Sequence, residues 1–394
     1  MIETVSYTPV VTRLVFGALA VSALSCSGPD APPPAASKPA PGRLVFVGTY
    51  TGGATGSDGI YAFQFDDATG ALSPRGLAAT TPSPSFLAAS ADRQVLFAVN
   101  ELDNYEGSAS GSVTAFAVDA AAAKLAAISI QSSRGAHPCH LELDKTGRFL
   151  AVANYTGGNY ALLPVASDGR LAPAVAVVAG KGRGPTERQE GPHGHAVVFD
   201  AANRFLIATD LGLDRVMVYR FDPAAGALAA NVPPSVSMKP GAGPRHFVFH
   251  PNGHQAFVIN ELDSTITSLR WDAATGVFGV IGTVSTLPAG VTASTTAEIH
   301  VHANGRFVYG SNRGHDSIAV YSVADDGSLK LVEIESTRGK TPRNFTIDPT
   351  GRWLLAGNQE SSTIAVFAID QTTGALTPVG DPVSAPTPVS ILFM

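Results

Sequence analysis

PRHFVFHPNGHQAFVINELDSTITSLRWDAATGVF, residues 244–278, contains the plan of the whole chain. The apolar run His246 to Phe249 predicts a short strand, Asn252–Gly253 a tight turn, and Gln255–Asn260 and Thr265–Trp271 two further strands. An Asp-x-x-Thr-Gly stretch from Asp272 then turns the chain into another apolar run. The unit reads as one antiparallel sheet of about four strands.

The unit recurs. Residues 138–155 (PCHLELDKTGRFLAVANY), 192–210 (PHGHAVVFDAANRFLIATD), 296–321 (TAEIHVHANGRFVYGSNRGHDSIAVY) and 342–370 (PRNFTIDPTGRWLLAGNQESSTIAVFAID) align on the same turn. Residues 84–101 (PSFLAASADRQVLFAVNE) match it more weakly. The onsets lie roughly 46 to 54 residues apart, a period that means a propeller or a solenoid. Residues 43–72 hold only the later strands of a unit, and Pro388–Phe393 (PVSILF) holds only the first. Six internal units and one shared between the two ends make seven. The expected fold is therefore an all-β seven-bladed β-propeller, closed by the C-terminal strand joining the N-terminal blade so that no sheet edge stays free.

Composition fits this plan and removes other functions. Charged residues are only 15%, against 40 Gly and 28 Pro, as expected for short buried strands joined by tight turns. The net charge of −6 argues against nucleic acid, because no basic face for neutralising phosphates appears. Local arginines could still hold a small anion. Two cysteines, Cys26 and Cys139, are too few for a disulfide framework, and Cys139 reads as a packing residue at the start of an inner strand. No Gly-x-Ser-x-Gly elbow, phosphate-binding Gly-rich loop or metalloprotease helix occurs, so no cofactor is expected. His193-x-His195 and His300-x-His302 have a spacing zinc could use, but no Cys or carboxylate completes a set and no metal is expected.

The first 42 residues stand outside the repeat. Leu14 to Leu24 (LVFGALAVSAL) is an apolar run of 11 after Arg13, too short to cross a bilayer and suited to a signal peptide over residues 1–25. Ala23-Leu-Ser-Cys26 resembles a degenerate bacterial lipobox, which would make Cys26 a lipidated first residue and a membrane tether. Residues 26–42 hold six prolines and almost no large apolar group, a semi-rigid linker to the propeller of residues 43–394. Export to the periplasm or cell envelope follows, with a monomer as the expected state.

Candidate site residues emerge from blade geometry. In a four-stranded blade, the start of the inner strand and the end of the second strand lie on one face of the disc. At the first place stand His140, His193, His195, Arg245, His246, Glu298, Arg343 and Asn344, which an apolar strand does not need. At the second a polar residue recurs, as Asn100, Asn154, Asp210, Asn260, Asn312 and Asn358, which reads as a structural turn group. The residue after it varies: Glu101, Tyr155, Leu211, Glu261, Arg313 and Gln359. Variation on a repeated background points to a site. His250 and His302 sit where Asp144 and Asp348 stand in sister units and read as turn groups. Long loops at 102–112, 181–191 and 281–294 are further places for binding groups.

VGTYT at 47–51, ERQEGPHGH at 187–195, GPRH at 243–246, NELDST at 260–265 and the 297–320 run resemble the bacterial 6-phosphogluconolactonases of the seven-bladed type. That lactonase family also includes fungal carboxy-cis,cis-muconate cyclase, and the resemblance covers roughly residues 43–394. It implies lactone hydrolysis by a His resembling His195, two arginines resembling Arg245 and Arg313, and a Glu resembling Glu261. His140, His193, His246, Glu298 and Arg343 are the expected substrate-binding residues, for a small anionic or sugar-lactone substrate. Gly194 stands where the family has Ala in PHAH. The alternatives are a muconate-type cyclase or ring-opening enzyme, and a non-catalytic envelope-tethered propeller that binds a ligand or protein.

Overall fold

The computed structural model describes residues 42–52 and 56–394. The expected signal peptide and the linker, apart from Gly42, lie outside these residues. Within them, 28 strands form seven four-stranded antiparallel sheets. In the sheet of the 244–278 repeat the order is Pro244–Phe249, Gln255–Asn260, Thr265–Asp272 and Val277–Ser285, from the channel outward. We number the blades from the one containing Arg43–Thr49, which makes this blade 5.

Burial explains the composition of each strand. Second strands such as Gln255–Asn260 and Phe205–Asp210 are buried at every position, because a blade on either side covers both faces. Outer strands such as Val277–Ser285 are mostly exposed and tolerate polar residues and glycine. Seven apolar clusters sit between neighbouring blades rather than inside any one of them. Between blades 4 and 5, for example, Phe205 and Val218 pack with Phe247, Val258, Trp271 and Phe278. Burying such side chains contributes roughly 1.5–3 kcal/mol each.

The repeated turn requires a positive φ, which Gly253 supplies at 72°. In blade 4 Asn203 stands there with φ 57°, consistent with the tolerance of Asn for this region, and the sequence can dispense with glycine. The recurrent Asn at the end of the second strand is a clamp. Asn100 donates to the Pro82 carbonyl at 2.7 Å, Asn154 to Ser133 at 2.8 Å, Asn312 to Thr286 at 3.0 Å and Asn358 to Thr337 at 3.0 Å. Each acceptor lies on the segment arriving from the preceding blade. His250 and His302 tie turns together: each Nε2 meets the carbonyl of the next blade's turn glycine, Gly305 at 2.6 Å and Gly351 at 2.7 Å.

Closure is by the C-terminal strand. Pro388–Phe393 pairs antiparallel with Arg43–Thr49, with Val45 opposite Phe393 and Val47 opposite Ile391. The Phe393 ring meets Phe65 edge-on at 5.3 Å, and Ser390 Oγ accepts the Leu87 N–H of blade 2 at 3.1 Å. The last strand thus joins blade 1 and touches its neighbour.

Candidate active site

The ladder skips at the top of the inner strands. Pro244 faces Asn260 while His246 faces Ile259, and the same skip occurs at Pro138/His140, Gly194/Ala196 and Pro342/Asn344. Each leaves one unpaired residue: Arg245, Cys139, His195 and Arg343. A bulge sets two residues against one and re-aims their side chains, so each of these strands delivers a consecutive pair toward the channel. Cys139, His195 and Arg343 line one mouth, and His140, His246 and Asn344 line a cavity at the opposite end.

The mouth is a cavity of about 340 Å³ lined by Tyr50, Glu101, Cys139, Tyr155, Arg188, His195, Glu261, Arg313 and Arg343. Tyr50, Glu101, Tyr155, Glu261 and Arg313 all occupy one repeat position, immediately after the last residue of the second-strand pattern. Arg188 comes from the 181–191 loop. Gln189, fully buried beside it, anchors that loop by donating to the Leu211 carbonyl at 2.8 Å and the Asp214 carboxylate at 2.7 Å.

Glu261 organises one wall. Arg188 and Arg313 approach its carboxylate at 2.9 Å, and Arg245 at 3.1 Å. Burial alone would raise its pKa, but the Arg313, Arg245 and Arg188 guanidinium groups override it and hold the carboxyl at about 2. The His195 Nε2 lies 3.9 Å from the same carboxylate. Burial, reinforced by Arg245, His246 and Arg343, keeps the imidazole well below its usual pKa and therefore neutral. Burial likewise pushes the Cys139 thiol up, so it is a packing group beside His195 rather than a thiolate.

Below the mouth the channel narrows to a void of about 10 Å³ and is crossed by a polar chain. Arg245 donates from Nε to Glu261 at 3.1 Å and from Nη1 to His246 Nε2 at 3.0 Å, and His246 Nδ1 meets Glu298 at 2.8 Å. Asn344 donates to the other Glu298 oxygen. Beyond it opens a second cavity of about 440 Å³, walled by Phe86, Phe199, Phe247, Phe249 and Phe345 with His140, His246 and Glu298 among its polar groups.

The structure therefore brings His195, Glu261, Arg313 and Arg343 together and sets Arg245 directly behind them. It does not bring His140, His246 and Glu298 to that mouth. The strand starts do not lie on one level, as blade geometry alone suggests: the bulged pair occupies two. His193 lines neither cavity: its ring stacks on Tyr155 at 4.5 Å, with Nδ1 3.1 Å from the Tyr155 carbonyl, so it positions that tyrosine. Glu101 and Tyr155, two of the residues at the varying position after the clamp, line the mouth, and so do Tyr50 and Arg188, which that pattern does not mark.

The sequence profile described as "Lactonase, 7-bladed beta-propeller" matches residues 44–393. The chain belongs to this lactonase family. Among its relatives is a 6-phosphogluconolactonase of Bacillus subtilis (strain 168), 39% identical over 353 residues that cover 89% of this chain and 98% of the relative. A 6-phosphogluconolactonase of Formosa agariphila is 33% identical over 84% of this chain and 94% of its own length. Among solved structures, a periplasmic gluconolactonase of Pseudomonas aeruginosa superposes with a TM-score of 0.83 at 35% identity, covering 89% of this chain and 98% of that lactonase.

Proposed function

We propose that the protein hydrolyses the ring ester of a sugar lactone, 6-phosphoglucono-δ-lactone or a related aldonolactone. The observation that carries this reading is the convergence of His195, Glu261 and Arg313 on one small mouth in a chain of the lactonase family. In the reaction, a water oxygen attacks the lactone carbonyl carbon and its proton passes to His195. The carbonyl electron pair moves to oxygen, and Arg313, with Arg245 behind it, stabilises that oxyanion. Collapse breaks the ring C–O bond, and the departing oxygen takes the proton from the imidazolium to become a hydroxyl. One water is consumed and a hydroxy acid leaves.

Glu261 is a poor base, because its oxygens are engaged by three guanidinium groups and its carboxyl is held at about 2. It serves as the counterion that fixes the arginines and faces the imidazolium when that forms. The test is hydrolysis of glucono-δ-lactone and 6-phosphoglucono-δ-lactone against the spontaneous rate. A rate well above background with either supports the reading, and none with both sinks it.

Export is part of the proposal, supported by the Leu14–Leu24 run and the likeness to a periplasmic gluconolactonase. Tethering through lipidated Cys26 predicts that Cys26→Ala moves the protein from the membrane fraction to the soluble one; an unchanged distribution removes the tether.

A further inference from the structure

The mouth has two unlike walls. Glu261 ties together the arginines of one, where Arg313 Nε alone is buried without a partner among the described residues. The other is built by Tyr50, Glu101 and Arg343, from three adjacent blades, and its polar groups are largely uncommitted. Glu101 Oε2 accepts the Tyr50 hydroxyl at 2.9 Å and lies 3.9 Å from an Arg343 amino group, beyond hydrogen-bond reach. Among the described residues no donor meets Glu101 Oε1, and no acceptor meets the Arg343 guanidinium within hydrogen-bond distance. Yet these side chains are only 14% and 16% exposed. The Arg343 guanidinium lies 5.2 Å from the Tyr50 ring centroid, and Thr387 holds the Tyr50 carbonyl by a 2.8 Å hydrogen bond. The free atoms of Glu101 and Arg343 face the mouth rather than a sealed interior, so a ligand can replace water on them.

The pairing specifies that ligand. An acceptor and a donor side by side fit hydroxyl groups, which both donate and accept. A phosphate offers mainly acceptors and would meet repulsion from Glu101. We infer that Tyr50, Glu101 and Arg343 form a polyol-reading subsite: one substrate hydroxyl donates to Glu101 Oε1, and a neighbouring oxygen accepts from Arg343. The inference rests on the lactonase reading and adds an orientation to it. The ester lies toward His195 and Arg313, and the hydroxyl-bearing carbons lie against blades 7, 1 and 2. A phosphate, where a substrate carries one, lies away from this wall.

The test compares wild type, Glu101→Gln and Glu101→Ala on glucono-δ-lactone and on δ-valerolactone, which has the same ring ester and no hydroxyls. Both variants should lose about 10- to 100-fold in kcat/KM on the sugar lactone, chiefly through KM, and stay within about threefold on δ-valerolactone. Calorimetric Kd values for D-glucono-δ-lactam, a non-hydrolysable analogue, should weaken by a similar factor. Equal losses on both lactones, or an unchanged lactam Kd, would overturn the subsite. If wild type accelerates neither these lactones nor 6-phosphoglucono-δ-lactone, the hydrolase reading fails, while the lactam measurement still decides whether Glu101 reads hydroxyls.

Discussion

The two ends of the channel are built by the same strands and have opposite chemistry. At the mouth, the guanidinium groups of Arg188, Arg313 and Arg343, with that of Arg245 behind them, stand against the carboxylates of Glu101 and Glu261, and several hydrogen-bonding positions face open space. At the other end phenyl rings form the walls, and Glu298 is satisfied by His246, Asn344 and the Ile299 N–H. Neighbouring residues of one bulge serve both. What separates the two cavities is how far their polar atoms have already found partners within the protein.

Arg245 spans the boundary, so its loss should blur the distinction most. Arg245→Ala removes a buried partner of Glu261 and His246, with an expected cost of about 3–5 kcal/mol in stability and a rate loss on the order of 100-fold or more. Denaturant unfolding and steady-state kinetics measure the two; unchanged turnover would remove Arg245 from the site. A sharper contrast comes from two histidines. His195→Ala should lower kcat by about 100- to 10,000-fold. His140→Ala, in the opposite cavity, should change it less than about threefold. Similar losses from both would mean that the two ends are not chemically distinct.

Acid probes both ends together. Glu261 and Glu298 are each held at about 2 despite burial, by guanidinium groups in one case and chiefly by His246 in the other. Carboxyls depressed in the fold contribute stability that is full above their unfolded value and is lost as pH falls toward about 2. Wild-type unfolding free energy should therefore drop through that window, and Glu298→Gln should flatten the drop without shifting the pH profile of kcat/KM. Because the His195 imidazole is kept neutral well below its usual range, the acid limb of that profile should lie below the ordinary histidine pKa; a limb at or above it would argue against His195 as base. Among the residues lining the mouth the smallest effect is expected at Arg188, whose side chain is 53% exposed: Arg188→Ala should raise KM by about tenfold or less, and the effect should shrink in high salt.

Much of this was readable beforehand. The turn at Asn252–Gly253 and its copies gave the blade count, and the PVSILF end gave the closure, because periodicity reports directly on which faces are buried. His195, Arg245, Glu261 and Arg313 could be picked from their places in the repeat and from resemblance. The level at which each side chain lies could not. Arg245 and His246 are adjacent in sequence, and only the skipped ladder pairing shows that one reaches toward the mouth while the other faces the opposite cavity. Arg188 was hidden for another reason: its loop has no periodicity, and its position depends on the buried Gln189 amide. Glu101 sat at a flagged repeat position and Tyr50 did not, since the first blade's second strand ends in Thr49 rather than Asn or Asp, and their partnership joins different blades and becomes visible only when the ring is closed.

The bond from Thr387 to the Tyr50 carbonyl gives the ring's closure a second meaning. During synthesis Thr387 and the sealing strand follow every other blade off the ribosome, so this tie to the mouth is among the last contacts the chain can make. A chain truncated before Thr387 would retain six whole sheets and every residue that lines the mouth, yet lack the tie to the Tyr50 carbonyl. Competence and completeness are thereby checked by the same few residues.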